Sequence, residues 1–300
     1  MVNQKKFITL VFGIIAVVMA IVCSLLFTQA VQKDFDSSIG HFAQGSVLMT
    51  ASFAIMVAGA VIGIIPAFLV KGVCVDTKAG AGISVSFVSV FAGALLLASS
   101  VFGFADPGVT LPEKYSFLTT LAGVFGCIGA ASMLLFAMQG AYRSKMAKLF
   151  SMFIPLYFII RVLELYFDTS DAFNSTTKLV SQLVFVAFAL MSTFDCGLYL
   201  ERPVLGKLIF GCIVSVVMGA PLGVASLVTQ FTNPGSFALS VVDTCMITGF
   251  SLLAAIKLYH IAMSFKLCEE AECDGTDEAV AEAESDTATD VKDAEEADEQ

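Results

Sequence analysis

The sequence predicts an all-α protein: a polytopic transmembrane helix bundle of about eight spans, with both termini cytoplasmic and a disordered acidic cytoplasmic tail. Three observations carry that expectation. Hydrophobic residues make up 57% of the 300 and charged residues only 14%, whereas soluble domains carry about 25% charged residues. Eight apolar stretches reach or approach the roughly 20 residues needed to cross about 30 Å of hydrocarbon. Lysine and arginine alternate from loop to loop, as the positive-inside rule requires.

The first expected span covers residues 7–30, behind the basic start Lys5-Lys6. Its apolar run is longer than the about 7–15 residues of a signal-peptide core, which predicts an uncleaved first helix. Residues 46–70 and 83–104 form spans two and three, and residues 117–138 form span four after the breakers Asp106-Pro107-Gly108 and Pro112. Span five, residues 149–167, is the least apolar because it contains Arg161 and Glu164. Asp168-Thr169-Ser170-Asp171 and Asn174-Ser175-Thr176 separate it from span six, residues 179–200. Spans seven and eight cover residues 208–228 and 237–265, with Asn233-Pro234-Gly235 between them. These breakers end regular structure for fixed backbone reasons. Pro66, Pro155 and Pro221 mark expected kinks. Gly59 and Gly63, Ala122, Gly126 and Ala130, and Gly219 and Gly223 mark faces on which helices can approach closely.

Charge divides the chain at Cys268. The net charge is −10, and 15 of the 26 acidic residues lie between Cys268 and Gln300 beside one base, Lys292. That segment has no aromatic residue and little aliphatic bulk, so it lacks the apolar surface to offset ordering entropy. It reads as a solvated arm, with a basic protein as its candidate partner. In the preceding residues, Lys5, Lys6, Lys71, Lys78, Arg143, Lys145, Lys148, Arg202, Lys207, Lys257 and Lys266 fall on one side of the expected bundle. Only Lys33, Lys114 and Lys178 fall on the other. The bias places both termini in the cytoplasm.

Enzyme chemistry finds no foothold. The sequence has two histidines, His41 and His260, and no zinc-binding His-Glu-x-x-His pair, no phosphate-cradling loop and no Gly-x-Ser-x-Gly elbow. Of the eight cysteines, Cys23, Cys127, Cys196, Cys212 and Cys245 lie in or beside apolar runs, where a thiol acts as a small hydrophobe. Cys268 and Cys273 have a ligand-like spacing without the further Cys or His that zinc needs. No catalytic, cofactor-binding or metal-binding residue, no cofactor and no nucleic-acid partner is expected, and the partner of the bundle is the lipid bilayer. Asn174-Ser175-Thr176 matches a glycosylation acceptor, which matters only in a secretory eukaryotic setting, and a polar turn is the simpler account.

The sharp signal is charge at membrane depth, which is costly and usually faces the bundle interior. Arg161 and Glu164 are three residues apart and share a helical face. Counted at 1.5 Å per residue, Arg161 lies about 18 Å from residue 149, and Asp243 about 9 Å from residue 237 at the far side. The two depths agree. Arg161, Glu164 and Asp243 are therefore expected to form one intramembrane polar cluster, either a structural pair that fixes register or the lining of a substrate site. Asp195 reads as an ordinary interfacial residue and Lys257 as a snorkelling one.

The stretch from Ile154-Pro155 through Arg161, Leu163-Glu164-Leu165-Tyr166-Phe167, Asp168-Thr169-Ser170 and Asn174, with the apolar helix that follows, resembles polytopic membrane proteins of Gram-positive, clostridial-type gut bacteria. The similarity covers spans five to seven. That group has no established activity, so the resemblance implies a bacterial plasma-membrane location and no chemistry. Two function classes stand. A small-solute transporter or permease, placed first because transporters are common among such proteins, requires a polar route lined by the three charges. A non-transporting sensor, scaffold or assembly protein requires a dry bundle in which they satisfy one another.

Overall fold

The computed structural model describes residues 2–36, 41–70, 73–75, 83–105, 109–137, 145–170, 175–200, 204–232 and 239–267. The acidic tail, the Cys268–Cys273 spacing, Asn174, and the Asp106-Pro107-Gly108 and Asn233-Pro234-Gly235 turns lie outside those residues. The helices belong to a unit covering Met1–Lys266.

Nine α-helices are described: α1 (Val2–Asp34), α2 (Val47–Leu69), α3 (Ile83–Ala105), α4 (Phe117–Ala137), α5 (Lys145–Phe150), α6 (Phe153–Phe167), α7 (Thr176–Tyr199), α8 (Leu205–Thr232) and α9 (Val241–Met263). β1 (Phe35–Asp36) pairs antiparallel with β2 (His41–Phe42), and β3 (Val73–Val75) pairs with β4 (Phe265–Leu267). Short α5 and α6 make one span, Ala147–Phe167, so eight helical segments are long and apolar enough to cross a membrane. The expected all-α polytopic bundle is what the chain forms.

Pro155 explains the joint between α5 and α6. Proline has no N–H to donate to the carbonyl four residues back, and its ring crowds that carbonyl. The freed Ser151 carbonyl instead accepts from the Ile154 N–H at 3.3 Å, a tighter turn. The joint is where the sequence placed a kink. At Pro66 and Pro221 the chain stays helical.

Six spans close a ring. Around it, α3 packs on α4, α4 on α6, α6 on α7, α7 on α8, α8 on α9, and α9 back on α3. The α1–α2 pair lies outside, packed chiefly on α8, with α1 also touching α9. Small residues allow the close approaches. A Cβ at Gly59 would come within 2.5 Å of Val217, and one at Gly126 within 1.9 Å of the Ser100 hydroxyl. α8 is the most buried span, whereas α1 and α2 are the least buried. Ile14, Ile21, Val57, Val61, Phe87 and Phe102 are exposed. Such apolar exposure fits a helix surrounded by hydrocarbon rather than water.

Candidate functional site

The first site is built on one face of α6. Tyr157, Arg161 and Glu164 are spaced by four and three residues, so their side chains line up along the helix. The structure brings all three charges named from the sequence together. One Arg161 amino nitrogen, Nη1, donates to Glu164 Oε2 at 2.7 Å, and the other, Nη2, donates to Asp243 Oδ2 at 2.9 Å. Asp243 lies in the first turn of α9, where its backbone N–H donates to the Ser240 hydroxyl at 3.0 Å. Its second oxygen, Oδ1, accepts from the Ser99 hydroxyl of α3 at 2.7 Å, and Ser99 is also 2.9 Å from the Tyr157 hydroxyl. The Phe185 ring of α7 lies 5.8 Å from the guanidinium carbon. Four helices of the ring therefore meet at Arg161.

This site is desolvated. Arg161 is 6% exposed and Glu164 is 0% exposed. Buried charges persist only when they are paired and hydrogen-bonded. The pairing here is incomplete: Glu164 Oε1 and Arg161 Nε have no hydrogen-bond partner among the described residues. One guanidinium faces two carboxylates.

A second charged site lies toward the other end of α9. Asp243, Phe250 and Lys257 follow one another at intervals of seven, so they share a stripe of α9 that spans about 21 Å. Lys257 Nζ pairs with Asp195 of α7 and lies 3.4 Å from the Tyr199 hydroxyl. Lys257 is buried, not snorkelling, and Asp195 is its partner rather than a bystander at the interface. The expectation that Lys257 snorkels is thereby corrected, whereas Asp195 stays half-buried near the end of α7. The available signal was the shared depth of the two opposite charges on spans six and eight.

Between the two sites the ring is plugged by aromatic side chains. Phe158 meets Phe250 edge-on at 4.9 Å and Phe188 at 5.4 Å, and Phe188 lies 5.6 Å from Phe250. All three are fully buried. Gly219 of α8 gives this plug its room, because a Cβ there would come within 2.7 Å of the Phe188 ring.

The loops at the Arg161 end are tied separately. Asp168 Oδ1 accepts from the backbone N–H groups of Thr110 and Ser170 at 2.8 and 2.9 Å, and buried Lys178 donates to the Asp168 carbonyl at 2.6 Å. The five cysteines in or beside apolar runs are free thiols. Among the described residues, no group of three or more His, Cys, Asp or Glu is placed to hold a metal ion.

No family model, curated protein or solved structure matches this chain.

Proposed function

We propose that this is a multi-pass, transporter-like membrane protein for small solutes, with the interior of the six-helix ring as its route. The observation that carries the reading is the order of features along the α9 stripe. A charged site built on Arg161, an aromatic plug and the Asp195–Lys257 pair follow one another across the bundle. Intramembrane ionisable groups facing a bundle interior commonly mark substrate or ion pathways. An aromatic constriction between two polar ends is a means of gating.

The test is water access to the plug. Phe250→Cys is introduced into a chain whose native cysteines are replaced by serine, and intact membranes are treated with a membrane-impermeant thiol reagent from each side in turn. Modification from at least one side is expected. A thiol that stays unmodified from both sides, in a folded chain, overturns the route. That result leaves a non-transporting sensor or scaffold, a reading favoured by the complete burial of the plug and the mutual pairing of most of the charges.

The same proposal places the protein in a bacterial plasma membrane with both termini in the cytoplasm. The lysine and arginine bias between alternate loops supports that orientation. Reporter fusions at Gln300 test it: fluorescence without periplasmic phosphatase activity is expected, and the reverse pattern inverts the topology.

A further inference from the structure

The Arg161 site has one more carboxylate than a structural lock needs. The Arg161–Asp243 contact alone joins α6 to α9, with Ser99 adding α3. Glu164 adds nothing to that connection, because it sits on the same helix as Arg161, three residues away. It does bring a second negative charge into a largely desolvated site. With all three side chains ionised, the cluster carries a net charge of minus one. Its unsatisfied acceptor is a specific atom, Glu164 Oε1, which has no partner among the described residues on a fully buried side chain. An unmatched buried carboxylate oxygen is destabilising unless a positive charge or a donor reaches it.

We infer that the Arg161–Glu164–Asp243 cluster is a binding site for one monovalent cation, seated on Glu164 Oε1. The charge that completes the site is a single positive one, since it brings the cluster to neutrality. Arg161 Nε, also without a partner among the described residues, sets a second requirement: the cation arrives with an oxygen acceptor. A coordinated water supplies that acceptor. The other ionisable groups around Glu164 are Arg161 and Tyr157 on its own helix and Asp243 on α9. One turn beyond it, at the C-terminal cap of α6, is Asp168, with Lys178 of α7 bonded to the Asp168 carbonyl. α3 contributes Ser99, which is neutral. A hydrated alkali-metal ion or hydrated ammonium meets both requirements, a proton meets the charge requirement alone, and the experiment separates these sources. This inference rests on the transporter-like reading for its purpose, though not for its geometry.

The test is thermal unfolding of the purified, detergent-solubilised chain at constant ionic strength. Sodium, potassium and ammonium chlorides are each titrated against choline chloride at neutral pH. In a separate series pH is lowered in choline alone. The expected result is a saturable rise in the unfolding midpoint with at least one cation, or a rise on acidification in choline, since a ligand that binds only the folded state stabilises it by mass action. Response to a metal ion or ammonium at fixed pH identifies that ion, whereas response to acid alone identifies the proton. Glu164→Gln is expected to abolish the response. It folds as the wild type does, because the glutamine amide oxygen still accepts from Arg161, and its midpoint lies near that of the cation-loaded wild type. Glu164→Asp, which keeps the charge and retracts the oxygen, shifts the half-saturating concentration upward. A wild-type midpoint that is the same in every cation and at every pH overturns the inference, with no reference to any variant. So does a response that Glu164→Gln retains. A response that depends on Glu164 in a chain whose position 250 stays closed to water leaves the site standing and removes transport. The converse pattern removes the site and leaves the route.

Discussion

The two charged sites on the α9 stripe differ in their arithmetic. Among the described residues, Lys257 at one end meets Asp195, one charge against one, with Tyr199 at hand. At the other, Arg161 meets Glu164 and Asp243, one charge against two. A balanced buried pair is explained once its partners are satisfied, and it contributes register more than stability. An unbalanced site is not explained by its own contacts. The stoichiometry of charge separates a lock from a binding site better than burial does: Lys257 is buried much as Arg161 is, while its partner Asp195 is half-buried.

The largest effect is expected at Arg161. Arg161→Met leaves two carboxylates uncompensated in the bundle, and it should cost about 3–5 kcal/mol, the usual penalty for stranding a buried ion partner. Denaturant unfolding in detergent, or outright loss of monodisperse protein, reads this out. Arg161→Lys should not restore it, since one ammonium cannot reproduce the two-pronged contact to separate carboxylates. At the balanced end, Lys257→Met should cost about 1–3 kcal/mol. Adding Asp195→Leu should recover most of the loss, because replacing both members of a pair with apolar groups is close to neutral. A double-mutant cycle gives the coupling. A cycle showing no coupling would mean that the Lys257 end is not a lock.

Away from both sites, Asp168→Ala removes the acceptor that ties two loops together at the Arg161 end. It should also cost about 1–3 kcal/mol, and amide hydrogen exchange at Thr110 and Ser170 should report it locally. The smallest effect belongs to Glu164→Gln, whose stability in choline should lie within about 0.5 kcal/mol of the wild type or above it. A large loss at Glu164 would make that carboxylate structural and would erase the distinction between the two sites.

Much of this was legible in the residues. The eight spans follow from run length and breakers, and the Arg161 cluster from matching two depths on spans five and eight. That match worked because Arg161, Glu164 and Asp243 stand out against apolar neighbours. The Lys257–Asp195 pairing was missed for the opposite reason. In sequence Asp195 stands close to Arg202 and Lys207, where charge is ordinary, and only packing shows that Lys257 turns onto it. The ring itself was not legible, since apolar faces on membrane helices look alike whether they meet lipid or another helix. The plug shows this: Phe158, Phe188 and Phe250 are buried, whereas Phe87, Phe102 and Phe117 are exposed.

The order of the helices in the ring has a consequence for how the protein is made. While the ribosome has delivered only α1 to α7, the chain holds the α1–α2 pair and the row α3, α4, α6, α7 with α5 as its joint, linked where His41 of β2 meets Thr176 at the start of α7. What chiefly joins them is the α8–α9 pair, which packs on both. Until that pair enters the bilayer, Arg161 has Glu164 but not Asp243, and Asp195 has no Lys257. Nascent chains arrested before α8 are therefore the form that membrane quality control should recognise and degrade.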